Sequence, residues 1–264
     1  MELLRQLNEQ ASPEATAAEL IEVVRSAAPF FKERGNTNKV LYRGVGGHYG
    51  GVLITRPIAP RTNRRPSDTP NQIHTALNER MVEQFGHPFR TASLFCTAQI
   101  SQARFYGDAY VLLPQGAFTY LWSPTVRDGY AYFSDESLVH FLIKHGQAAL
   151  DSNEDLNETI RYAEGGVDVH YLLTELNKTV EGQSAFNRWM DGRYEAAKYT
   201  NTNLTDALEM MQEVMINGTA VLVNNRGFDR WTLMSICQQL GAVPEDLPTG
   251  TAVSDVINYI SERI

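Results

Sequence analysis

The block PFRTASLFCTAQISQARFYGDAYVLLPQGAFTYLWSP, Pro88 to Pro124, restricts the possible folds more than any other part of the chain. Phe89–Ala98 and Ala109–Pro114 read as β-strands, with Ser101–Tyr106 between them as a short helix. Phe118–Trp122 reads as a further strand beyond the Pro-Gln-Gly turn. Ahead of the block, Ser12 and Pro13 mark a helix start, and Ala17, Leu20, Ile21, Val24 and Ala28 recur at helical spacing until Gly35. Lys39–Arg43 reads as a strand and Gln72–Phe85 as a helix. Ser137–His145, Thr159–Ala163, Val169–Ala197, Thr232–Leu240 and Val253–Ile264 read as helical. Strands therefore do not alternate regularly with helices, and an α+β architecture is expected over a doubly wound sheet. Asn217-Gly218, between the β-leaning runs Glu213–Ile216 and Thr219–Val223, is a two-residue hairpin signal, so those runs are expected to pair.

At 264 residues the chain is expected to form one domain, with a helical extension at 1–35, a core at 36–225 and a second helical extension at 226–264. A net charge of −8 gives the molecule as a whole no broad attraction for nucleic acid. The exception is Arg56 to Asn71, a loop with four prolines and four arginines, among them Arg61, Arg64 and Arg65. It reads as a solvated connection or as a rim for a polyanion. The N-terminal MELLRQLNEQASPE has no apolar segment of the signal-peptide kind. No apolar run approaches the ~18 residues of a membrane span. With Cys96 and Cys237 as the only cysteines, a reduced pair and a cytoplasmic setting are expected.

KVLYRGVGGHYGG, Lys39 to Gly51, ends a strand in an arginine and follows it with dense glycine, as backbone does where it must approach something closely. It fails as a dinucleotide fingerprint: Gly44 and Gly46 fit G-x-G-x-x-G, but Tyr49 takes the third glycine's place and no helix pattern follows. A P-loop motif and a nucleophile elbow are both missing. His140 and His145 are spaced five apart, off a shared helix face, so no metal is expected.

Three separated pieces belong together: Leu41-Tyr42-Arg43-Gly44, then Ser93 to Ala98 followed by Ala103-Arg104-Phe105-Tyr106-Gly107, then Gln212-Glu213-Val214-Met215-Ile216. In this order they resemble the mono-ADP-ribosyltransferases of the Arg–Ser–Glu class, including bacteriophage-encoded relatives, over roughly Val40 to Val223. The resemblance implies a split pair of β-sheets with flanking helices and NAD+ in the cleft between them. It implies transfer of ADP-ribose from NAD+ to a macromolecule, protein or nucleic acid, with release of nicotinamide, no metal, and a toxin or phage-effector setting. It gives Glu213 the catalytic role of stabilising the ribose cation. NAD+ would be bound by Arg43, gripping the pyrophosphate, and by Gly44, whose backbone approaches the nicotinamide amide. Thr97 would orient Glu213, and Phe105 or Tyr106 would offer a ring face to nicotinamide, the alternative for both being core packing. His48 and Tyr49 would touch substrate or shield the loop. The chain departs from the family where Cys96-Thr97-Ala98 replaces Ser-Thr-Ser, keeping one hydroxyl. It also departs at Met211, two residues before the glutamate, with Glu209 and Gln212 off register. Arginine is thereby disfavoured as the acceptor. Two other readings accompany this one: a NAD glycohydrolase, and a binding module whose activity has decayed.

Overall fold

A computed structural model describes residues 11–46, 53–64, 69–133, 137–161, 168–247 and 250–264. The chain divides into two compact units. One comprises the described parts of Met1–Pro60, Ser93–Trp122 and Asn201–Ile264, the other those of Arg61–Ala92 and Ser123–Thr200.

Among the described residues, the first unit carries every strand: β1 (Leu41–Val45), β2 (Leu94–Thr97), β3 (Asp108–Pro114), β4 (Thr119–Trp122), β5 (Glu213–Asn217) and β6 (Ala220–Asn224). They form one six-stranded sheet in the order β4-β5-β2-β1-β3-β6, antiparallel throughout. The mixed α and β composition expected from the sequence is present, in one hydrogen-bonded sheet rather than two. β1 runs against β3 along its whole length, from Leu41 opposite Leu112 to Val45 opposite Asp108. Against β2 it holds a single register position, Tyr42 opposite Thr97. The sheet thus has a narrow seam between a β4-β5-β2 half and a β1-β3-β6 half.

The expected Asn217-Gly218 hairpin does not form. β5 is taken on both sides, by β2 and by β4, and β6 pairs with β3. The turn signal marks where the chain stops extending, but the ladder partners of these strands come from elsewhere. Four strand spacings of ~4.8 Å would separate β5 from β6 by about 19 Å in a flat sheet. Three Cα steps, Asn217 to Ala220, reach only about 11 Å. The six strands therefore cannot lie flat in one plane.

Helices Pro13–Ser26, Ala28–Arg34, Ile100–Arg104, Leu204–Glu209, Arg230–Gln239 and Val253–Ser261 also belong to this unit. Leu20, Val24 and Phe30 from its start and Ile236 and Ile257 from its end share one buried cluster with Leu112, Val214 and Leu222 of the sheet. Described residues of both terminal segments read as extensions are thus part of this core. The Ser12 hydroxyl accepts from the Ala15 amide and caps the first helix. The start of the arginine-rich stretch and the residue before it lie along β6, where Thr55 N–H donates to the Leu222 carbonyl at 3.0 Å and Ile58 N–H to the Ala220 carbonyl at 2.7 Å. This covers an edge that would otherwise expose ladder groups.

The second unit is helical, built on Asn71–Phe85 and Val180–Ala197, with Leu77, Met81, Leu172, Phe186, Trp189 and Met190 buried. Near the start of Asn71–Phe85, Asn78 Nδ2 donates to the Thr91 hydroxyl at 2.7 Å, and the His74 ring lies 3.0 Å from the same hydroxyl. Burial, then the charges of Arg90 and Arg64, hold the His74 imidazole down to about 4. An unfolded imidazole titrates near 6.5. Between those values the unfolded chain binds more protons, so stability is full above about pH 6.5 and falls as pH drops toward 4. At pH 4.5 the loss attributable to His74 is expected to be about 2–3 kcal/mol. It is read as the difference in pH dependence of the urea midpoint between wild type and His74→Gln. Equal dependence in the two proteins would remove His74 from the account. Among the described residues no helix is long and apolar enough to cross a membrane.

Candidate active site

β2 is the meeting point. Thr97, its last residue, stands opposite Tyr42 of β1 and opposite Glu213, the first residue of β5. Arg43 follows Tyr42 at the point where β1 and β2 part. Its guanidinium crosses the seam, and Nη1 donates to the Phe95 carbonyl at 2.7 Å. A side chain there takes the place that a backbone amide holds in a continuous ladder. Cys96 lies between these groups. Burial drives its thiol pKa up, while Arg43 lowers it and Glu213 raises it, so both charged groups act on one buried point. Cys96 is free, and its Sγ donates to the Val214 carbonyl at 3.1 Å. It is a small buried hydrophobe, as an apolar strand context implies.

The Thr97 hydroxyl is 95% hidden from solvent with its residue, and it ties three backbone segments together. It accepts from the Gln99 amide at 3.1 Å and faces Gln102 Oε1 at 3.3 Å and the Met211 carbonyl at 3.4 Å. The Thr97 hydroxyl thus touches the backbone two residues before Glu213. Met211 has a φ of 55°, in the left-handed region that costs a non-glycine residue about 1 kcal/mol. Met211 N–H bonds the Leu208 carbonyl and Gln212 N–H the Ala207 carbonyl, which closes the preceding helix and turns the chain into β5.

A second tie joins the approaches to Arg43 and Glu213. The Glu209 carboxylate accepts from the Thr37 hydroxyl and pairs with Lys39 Nζ at 3.1 Å. These two contacts, the hydroxyl first, hold its carboxyl below the usual carboxylate range. Glu209 thus has a structural task near the candidate glutamate. In sequence it is visible only as a neighbour out of register, because its partners lie at positions 37 and 39.

The resemblance gives Gly44 an open backbone for nicotinamide. Within the chain the close neighbour is the Ala103 carbonyl: a Cβ at Gly44 would stand 1.9 Å from that oxygen and 2.8 Å from Tyr106 Cβ. Gly107 has a φ of 132°, and a Cβ there would stand 2.4 Å from the Val45 carbonyl oxygen. The two glycines let the short helix Ile100–Arg104 lie directly on β1. The turn after it presents Phe105 at 87% exposure and Tyr106 at 63%, so neither ring is core. Arg43 and Glu213 are half-buried, open enough to meet a ligand and held well enough to be oriented. Arg43, Gly44, Thr97, Phe105, Tyr106 and Glu213 all belong to the sheet-bearing unit. His48 and Tyr49 lie outside the described residues. No family model, no curated protein and no solved structure matches the chain.

Proposed function

We propose that this chain transfers ADP-ribose from NAD+ to a macromolecular acceptor and releases nicotinamide. The observation that supports this best is that three distant stretches of the chain come together at β2: Thr97 stands opposite Glu213 and opposite Tyr42, and the next residue, Arg43, bonds the Phe95 carbonyl. In the transfer, the bond between the ribose C1′ and the nicotinamide nitrogen breaks. Its electron pair leaves with the nitrogen, and nicotinamide departs neutral. The acceptor's nucleophilic atom forms the new bond to C1′ and loses its proton.

Glu213 supplies a carboxylate for the cationic character that grows at C1′, and an acceptor for a ribose hydroxyl. Arg43 supplies a permanent, planar charge for the pyrophosphate. Its bond to the Phe95 carbonyl sets the plane of the fork before any ligand arrives. Tyr106, packed beside Gly44, or Phe105 offers a ring face for nicotinamide. Met211 places no carboxylate or carboxamide two residues before Glu213, and arginine acceptors are disfavoured accordingly.

The test is incubation of the purified protein with adenine-labelled NAD+ and total cell extract, counting protein and nucleic-acid fractions separately. Label is expected in one of the two. Consumption of NAD+ with neither fraction labelled would make the protein a glycohydrolase. Intact NAD+ would leave a binding module.

A further inference from the structure

A groove of about 620 Å³ opens in the sheet-bearing unit where β1 ends, β3 begins and β6 ends. Val45, Arg104, Asp108, Asn224, Asn225 and Arg226 form much of its wall. Its positive charge comes from two exposed guanidiniums. Arg226 stands 3.3 Å from Asp108, an exposed pair that leaves its donors accessible. Arg104 ends the short helix and is exposed. Asn224 is buried to 3% exposure, with Nδ2 donating to the Tyr110 hydroxyl at 3.3 Å and Oδ1 accepting from the Arg226 amide at 3.0 Å, so this wall is fixed.

Next to Arg104 stand the two exposed aromatic rings. Their turn is rigid: the Phe105, Tyr106 and Gly107 amides bond the Gln102, Ala103 and Arg104 carbonyls at 3.2, 3.0 and 3.3 Å. Gly44 and Gly107 seat it on β1. Phe105, at 87% exposure, is thus held out in water on a fixed mount beside a groove that presents two guanidiniums, the Asp108 carboxylate and the Asn225 carboxamide. Single-stranded nucleic acid matches this chemistry. Its unpaired bases stack on an aromatic face, its phosphates take guanidinium forks, and a base edge meets the Asn225 carboxamide, which can both donate and accept. An acidic peptide would use the arginines and leave the ring without a partner. A duplex keeps its bases stacked on one another.

We propose that this groove, with Phe105, binds a single-stranded stretch of nucleic acid and that this strand is the acceptor. The acceptor role rests on the transferase reading above, and the binding does not. A net charge of −8 sets repulsion at long range, so attraction acts within about one Debye length, ~8–10 Å. Two phosphate contacts on a single strand give a shallow salt dependence, a log–log slope of about −1.4.

Fluorescence anisotropy with a labelled single-stranded oligonucleotide of about 12 nucleotides, without NAD+, tests the proposal. Saturable binding is expected, tighter than for a duplex of equal length, with a salt slope near −1.4. Phe105→Ala is expected to weaken it about tenfold. The double variant Arg104→Gln/Arg226→Gln is expected to flatten the slope toward zero, with thermal melting as the check that it is folded. No saturable binding, preference for the duplex, preference for a labelled polyglutamate peptide, or wild-type binding by both variants would overturn the groove assignment. Strand binding without any NAD+ cleavage would uphold the groove and overturn only the acceptor role. NAD+ cleavage without strand binding would overturn the groove alone.

Discussion

Glu213→Gln protein is expected to release nicotinamide from NAD+ at least about 100-fold more slowly than wild type, with its melting temperature nearly unchanged. The two halves of this expectation have separate origins. Loss of rate follows from removing a negative charge where positive charge develops, because a carboxamide keeps the size of the side chain and loses its charge. Preserved stability follows from position. Glu213 is the half-buried first residue of β5, and its backbone pairing with Thr97 does not depend on the side chain. Glutamine keeps the size of the side chain and an acceptor oxygen, so the change is expected to stay within about 1 kcal/mol, typical of a single substitution. Nicotinamide release by the variant at the wild-type rate would remove Glu213 from the chemistry. A collapse in melting temperature would instead make it a structural residue.

Gly44→Ala is expected to have the largest effect on stability, a loss of about 3 kcal/mol or more. The new Cβ would fall 1.9 Å from a backbone oxygen that belongs to a helix and cannot swing away as a side-chain tip can. Relief requires the Ile100–Arg104 helix to lift from β1, which moves Phe105, Tyr106 and the strand that carries Arg43. Nicotinamide release is expected to fall with stability. The same substitution has the opposite sign at Gly192, inside helix Val180–Ala197, where nothing lies within 4 Å of the added atom. Gly192→Ala is expected to stabilise by about 0.5–1 kcal/mol, because alanine loses less backbone entropy in a helix. Urea midpoints of the two variants decide the matter. Equal shifts would show that the steric reading of Gly44 is mistaken.

What was legible in the sequence is what local signals govern. The strand–helix–strand–strand order from Leu94 to Trp122 follows from apolar alternation and turn residues within one short block, and it is present. The helices from Asn71 and Val253 follow from periodicity and start near where their patterns begin. The Asn217-Gly218 hairpin failed for the complementary reason. A turn signal reports a reversal, while pairing depends on which strands are already saturated, and β5 is saturated by β2 and β4. At Gly44 the sequence could not name the Ala103 carbonyl as the close neighbour, because that oxygen comes from a distant part of the chain. The Thr37–Lys39–Glu209 tie and the His74–Asn78–Thr91 group were not readable, since single polar residues brought together by tertiary packing leave no period. The division into two units was equally hidden, because each is assembled from separate stretches of chain.

The seam between β1 and β2 has one further meaning. Arg43 belongs to one half of the sheet and Glu213 to the other, and the halves meet where Tyr42 stands opposite Thr97 and the Arg43 guanidinium bonds the Phe95 carbonyl. A molecule gripped by both residues would act as a rivet through the line where the sheet is least secured. Its binding energy would then be spent on closing the fold as well as on holding the ligand, so occupancy and rigidity would rise together. At a hundred times its dissociation constant such a ligand adds about 2.7 kcal/mol to stability. That gain would be felt most by the amide protons of β1 and β2, whose exchange with solvent reports how often the seam opens.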